Sequence, residues 1–460
     1  MSQTIVPPAP AGGPSQTALS GSAGPGGTPA VGTLGHRIAS ASATIRHYLA
    51  GSPGRLRIVS ALAVLAAVLV ALGGGAALRE RSNALDEAKR SAAHLVLVQG
   101  VQINLVQANA DVTNSFLKFG LEPEGQRLDY IDKIQAASRD LAVAADASAE
   151  DAAALGRVNA DLTRYTGYIG SARANNRSGN PVGANYLSTA SDLLLKDDLD
   201  GDVVTRKSMV SELADRSAAD QQKIDSAYSR AGHASWWLAL VAIIGLGVLV
   251  WAQFYLARHS RRILNVPLAA ATVGLLVGLI VAAGAMAVAQ SKANDVRDGS
   301  LKNATALSNS RVAAFTAKST ESLTLIARGS ATTADESWTA SMKTAKTALP
   351  SGSTAAAQAL VAYEGLHKTI NALDVKGDWD NAVKSAVAPG TAANPSANMQ
   401  FQAYADATEK TLTSQAEEAT TDLGDAGGAL LPAGILVVLV GLLAAIGAWW
   451  GISLRLDEYR

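Results

Sequence analysis

Four stretches of this chain, residues 58–78, 236–257, 266–289 and 429–451, contain no Asp, Glu, Lys or Arg. Each meets the requirement of about 20 apolar residues for a helix that crosses a bilayer. Four charge-free runs of this length are too many for the buried helices of a soluble core. Of the seven tryptophans, Trp236, Trp237, Trp251, Trp449 and Trp450 lie in or at the ends of these runs, where aromatic belts meet the headgroups. The first run starts well inside the chain, is too long for the apolar region of a signal peptide and lacks a small-residue cleavage site after it. It is expected to stay as an anchor.

Orientation follows from basic residues. Residues 1–57 hold Arg37, Arg46, Arg55 and Arg57 and no acid, and the connection 258–265 holds Arg258, Arg261 and Arg262, again without an acid. The positive-inside rule places both, and with them both termini, in the cytoplasm. The expected layout is therefore a cytoplasmic tail (1–57), a first outward domain (79–235), a short cytoplasmic loop (258–265), a second outward domain (290–428) and a cytoplasmic tail (452–460). The Pro, Gly, Ser, Thr and Ala of the N-terminal tail predict disorder, with a weak amphipathic helix over about 34–50.

Both outward domains read as helical. Val98, Val101, Leu105, Ala108, Val112, Phe116 and Phe119 recur at three- and four-residue steps, the stripe that a bundle core requires. Leu128, Ile131, Ile134 and Leu141 predict a second helix, and Leu155, Val158, Leu162, Tyr165 and Ile169 a third. A fourth is expected from about Gly183 to the membrane, through Leu187, Leu194, Met209, Leu213 and Ile224. The second domain repeats the plan with Leu301, Ala304, Val312, Phe315, Leu323 and Ile326, and residues 108–120 match 317–329 weakly at an offset of 209. The fold class is all-α: an integral membrane protein with four transmembrane helices and two extracytoplasmic helical bundles.

Neither 79–99 nor 301–328 contains Pro or Gly. Continuous helices there would carry displacement at the tip of a bundle into the spans. The fourth span, preceded by Gly424, Gly427 and Gly428 and interrupted by Pro432, predicts a softer joint.

Chemistry is sparse. With 39 Lys plus Arg against 39 Asp plus Glu, the chain lacks the basic excess of a nucleic-acid binder. It has no cysteine, and no nucleotide-binding or zinc-protease motif or nucleophile elbow. Spans without Asp, Glu, Lys, Arg or His speak against an ion-coupled carrier. The six histidines read as solvated or headgroup-level side chains. The expectation is a non-enzyme with no catalytic residue, cofactor or metal.

Two segments stand out. Asn175, Asn176 and Arg177 open a polar, turn-rich connection that reads as a helix–helix loop or as a recognition surface at the tip of the first bundle. Arg328, before Gly329, closes a helix or presents an arginine at the tip of the second. On the cytoplasmic side, Arg258, Arg261, Arg262, Arg455, Tyr459 and Arg460 are the candidate partner contacts. The same basic residues serve equally well to set topology.

The stretches NNRSGNPVGANYLSTAS (175–191) and AKSTESLTLIARG (317–329), with the ending RLDEYR, resemble the GlnX family of actinobacterial membrane signal transducers over about residues 55–460. The individual bundles also resemble four-helix-bundle sensor domains of chemoreceptors. The resemblance implies that an extracytoplasmic amino-acid-binding lipoprotein of the GlnH type, loaded with aspartate or glutamate, is read by the bundles. It further implies that the signal reaches a cytosolic Ser/Thr kinase, protein kinase G. Readings from other classes are a scaffold of the cell envelope and an accessory subunit of a transporter. The lipid bilayer is the remaining partner, and self-association is left open.

Overall fold

The computed structural model describes residues 52–118, 122–178, 180–260, 265–328 and 331–457. The N-terminal tail up to residue 51, Phe119, Arg261, Arg262, Tyr459 and Arg460 lie outside the described residues. The architecture is helical, with one small hairpin, and four helices are long and apolar enough to cross a membrane.

The first bundle starts from α1 (Ser52–Phe116), one uninterrupted 65-residue helix, roughly 97 Å long at 1.5 Å per residue. After it come α2 (Glu124–Ala147), α3 (Ala152–Arg177) and α4 (Val182–Leu195). The bundle closes with α5 (Met209–Ser260), which runs on as the second span. Val98, Val101, Leu105, Val112, Leu155, Leu162, Tyr165, Leu187, Leu194 and Leu213 meet in one buried core. The helical periodicity had placed all of these inward. Leu128 departs from it: its side chain is 51% exposed, and Tyr130 and Ala137 face the core instead.

The fourth helix of this bundle is not continuous, contrary to expectation. Between α4 and α5 stand β1 (Asp198–Asp200) and β2 (Val203–Arg206), an antiparallel pair with Leu199 opposite Val204. Asp197, Asp198, Asp200 and Asp202 crowd like charges into two turns' worth of chain, which a helix tolerates poorly. Gly201 takes φ +63, the left-handed turn geometry that a glycine adopts without cost.

The second bundle starts from α6 (Val266–Asp295), the third span. A five-residue π-helical segment, Val296–Ser300, joins it without a break to α7 (Leu301–Ala327). Then follow α8 (Ala331–Ala348), α9 (Thr354–Val375), the short α10 (Trp379–Val387) and α11 (Ala397–Gly427). A two-residue turn, Gly428 and Ala429, separates α11 from α12 (Leu430–Asp457), the fourth span. Aromatic rings fill this core: Phe401 meets Phe315 edge-on at 5.0 Å and Tyr363 at 5.3 Å between ring centres.

The bundles share one side of the spans and fuse along α1 and α7. Val106, Ala110 and Leu117 of α1 belong to the core of the second bundle, while Leu323 and Ile326 of α7 pack on the core of the first. Among the spans, small residues allow close approach. A Cβ on Gly75 would stand 2.5 Å from Val438 Cγ2, and one on Gly441 2.8 Å from Ala71 Cα. The opposite faces are apolar and open, with Ile243 72% and Leu443 67% exposed, as lipid contact demands.

Candidate functional site

Just beyond the first span, α1 carries Arg81, whose side chain is buried. Its Nη1 donates to Ala231 O (3.0 Å) and Ser235 Oγ (2.6 Å) on α5, and its Nη2 donates to Gln290 Oε1 (2.6 Å) on α6. One planar guanidinium therefore ties three span helices at the base of the bundles. No carboxylate is among these acceptors, and burial pushes the guanidinium pKa down from its ordinary value. Arg81 and Gln290 are 209 residues apart, the spacing of the weak internal repeat. That spacing, with an arginine within one turn of the end of an apolar run, was the available sequence signal for Arg81.

Each bundle also encloses a charged network around a histidine. This corrects the expectation of solvated histidines for His94 and His367, both buried. In the first bundle His94 Nδ1 lies 2.6 Å from Asp220 Oδ2, and Nε2 lies 3.1 Å from Ala144 O. Both ring nitrogens thus face acceptors, which suits the imidazolium. The hydrogen bond to Asp220 raises the His94 pKa against the opposing effect of burial. Buried Asp151 accepts from Ser148 Oγ (2.8 Å) and Arg216 Nη1 (3.2 Å). Burial alone would raise its pKa, but these donors and Lys223 hold it below the usual carboxylate value.

Single ligand atoms of His94, Asp151 and Asp220 lie within 4.8 Å of one another, close enough for a metal ion. The charges around them are already matched. Lys223 Nζ stands 3.8 Å from Asp151 and 3.9 Å from Asp220, with Arg216 on the other side. A cation would have to displace Lys223, so the arrangement is a self-neutralised ion cluster.

In the second bundle Lys318 Nζ donates to Glu321 Oε1 (2.8 Å), and Glu321 Oε2 accepts from His367 Nδ1 (2.7 Å). His367 Nε2 then lies 3.4 Å from Asp335 Oδ1, and Trp338 stacks flat on the imidazole at 3.5 Å. Burial would raise the Glu321 pKa, but Lys318 and His367 outweigh it and hold the carboxyl at about 2. Lys318 and Glu321 belong to the segment 317–329 singled out by sequence. Three residues apart on α7, they share one helix face.

The other residues predicted from sequence are not assembled into one surface. Asn175 Nδ2 donates to Ser171 O (2.9 Å), and its own carbonyl accepts from Ser178 N and Asn180 N, closing α3. Asn176 packs by its backbone against Gly183, where a Cβ would stand 3.0 Å from Asn176 N, and Arg177 is exposed. Arg328 takes φ +44 and lays its guanidinium 3.9 Å from the centre of the Trp379 ring. Among the described residues no hydrogen bond, ion pair or ring contact joins it to residues 175–177. Of the cytoplasmic candidates, Arg258 is exposed near the end of α5, Arg455 lies on α12, and the remaining four lie outside the described residues.

These features define an all-α membrane protein in which two fused helical bundles rise from four candidate spans. Residues 84–228, nearly the whole first bundle, match the family model of the actinobacterial sensor domain, which supports a sensor protein in actinobacteria and a role in sensing signals. No curated protein and no solved structure matches the chain.

Proposed function

We propose that this chain is a non-enzymatic transmembrane signal transducer, with its bundles outside the cell and both termini in the cytoplasm. In this reading an amino-acid-binding lipoprotein loaded with aspartate or glutamate docks on the bundles. The resulting displacement passes through the spans to a cytosolic Ser/Thr kinase. The observation that carries the reading is continuity: α1, and α6 with α7, run from span to bundle tip without a break, and α1 and α7 are fused within the bundles. A shift of one relative to the other must alter the Arg81 bonds at their base. Displacements of about 1–2 Å are the usual scale of such helix motions. Support for sensing comes from the domain match, support for the inward relay from the basic loop at 258–262, and support for the partners from the sequence resemblance.

The test uses whole cells. Phosphorylation of cytosolic kinase substrates is followed after external aspartate or glutamate is added, in cells making the parent chain or Arg81→Lys. Lysine keeps the charge but cannot span three acceptors in one plane. The parent should respond and the variant, present at equal level in the membrane, should not. An equal response in both, or one that persists when the chain is deleted, overturns the reading.

A further inference from the structure

The four main helices of the second bundle are unevenly packed. α7 lies close against α8, and α9 against α11, but α8 and α9 barely touch, and neither packs substantially on the first bundle. The gap between them is a groove of about 570 Å³. Its open apolar surface comes from Ala372 and Val375, with buried Trp338 and Met342 beneath, and its walls carry charge. Glu364 is matched twice, by Lys346 at 2.6 Å and Lys368 at 3.2 Å. Two charges on the groove are not fully matched. Lys343 makes no ion pair among the described residues. Asp335, 44% exposed, is held among the described residues by Asn371 Nδ2 at 2.9 Å and by the 3.4 Å approach of His367.

We propose that this groove is a binding site for short peptides of two or three residues with both termini free. The ammonium end sits at Asp335, the carboxylate end at Lys343, and an apolar side chain lies against Ala372 and Val375. Asp335 and Lys343 are eight residues apart on α8, roughly 12 Å along its axis at 1.5 Å per residue. The lysine side chain shortens that gap. An extended di- or tripeptide spans roughly 7–11 Å at about 3.5 Å per residue. A free α-amino acid carries both charges on one carbon and reaches only one of the two groups. The site also has a route to the membrane. An ammonium that takes Asp335 withdraws the acceptor facing His367 Nε2, and His367 leads through Glu321 to Lys318 on α7, which is continuous with the third span.

This inference goes beyond the relay reading, because binding is measured on the purified full-length chain in nanodiscs whatever its cytosolic output. The probes are leucyl-leucine and trileucine, titrated by calorimetry beside free leucine and the N-acetylated and C-amidated peptides. Both unblocked peptides should bind saturably at one site per chain. Blocking either end, or substituting Asp335→Asn or Lys343→Gln, should weaken binding at least tenfold. The blocked peptides test the assignment on the unaltered protein, so a variant that folds poorly does not remove the test. The proposal is overturned if neither peptide binds, if free leucine binds as well as the peptides, or if blocked peptides and charge variants bind like the originals.

Discussion

Replacing Glu321 by Gln removes a charge while keeping the shape of the side chain, and the surroundings fix the size of the effect. The carboxylate is enclosed and accepts from Lys318 and His367 at 2.8 and 2.7 Å. Lys318 has 2% side-chain exposure, so the substitution leaves an ammonium with neither water nor a counter-charge. Breaking a buried pair from one side costs about 3–5 kcal/mol. The depressed pKa points the same way: Lys318 and His367 favour the carboxylate strongly enough to outweigh its burial. Because the folded pKa is depressed, that stability is present above the unfolded value of 4.5 and is lost as pH falls toward about 2. Thermal unfolding in nanodiscs by near-ultraviolet circular dichroism, which reports the Trp338–His367 stack, should show a Tm about 10 °C lower for the variant at neutral pH. Its Tm should also vary less than the parent's below about pH 5. The decisive comparison is Lys318→Met with Glu321→Leu. Removing both charges replaces the pair by apolar atoms and should restore most of the loss. A Glu321→Gln protein within about 1 kcal/mol of the parent, or a double variant no more stable than the single one, refutes the argument.

Three further outcomes follow from the same structure. His94, its pKa raised by Asp220, contributes stability that is complete below 6.5 and lost as pH rises through its folded pKa. His94→Gln should therefore lower Tm at about pH 6, with a loss of about 1.5–3 kcal/mol for the charged hydrogen bond, and flatten the decline toward about pH 9. Asp111 on α1 is pushed to about 7 by burial and then by Asp129, so its folded form favours the proton and stability falls as pH rises from 3.8 toward 7. Asp111→Asn should raise Tm by several degrees at about pH 8 and change little at about pH 4. Gly441→Leu presses a side chain onto the Ala71 backbone, which cannot yield. Overpacking of about 1–3 kcal/mol should lower Tm and the yield of an engineered cross-link between the first and fourth spans.

Periodicity carried the sequence reading furthest where an element was long. The four apolar runs and the stripes through Val98, Leu155 and Leu301 appear as helices because each repeats its signal over several turns. The hairpin at 198–206 escaped notice because strands of three and four residues are too short to show a period, although Gly201 among four aspartates marks the turn. The network residues were harder still. His94 and Asp220 are 126 positions apart, and His367 and Glu321 are 46 apart. Nothing local in the chain pairs them.

The amino-acid order alone therefore settled that this is a helical chain with four segments suited to lipid. Hydrophobic transfer and helical repeat act residue by residue and leave a local trace. The tertiary structure decided which polar side chains became partners: Arg81 under three helices, Lys318 beside Glu321 and His367, and Asp335 and Lys343 facing an open groove. A buried charge is tolerable only where packing from distant parts of the chain brings its counterpart within hydrogen-bond reach. That proximity is a property of the folded assembly of helices, and no single stretch of sequence contains it.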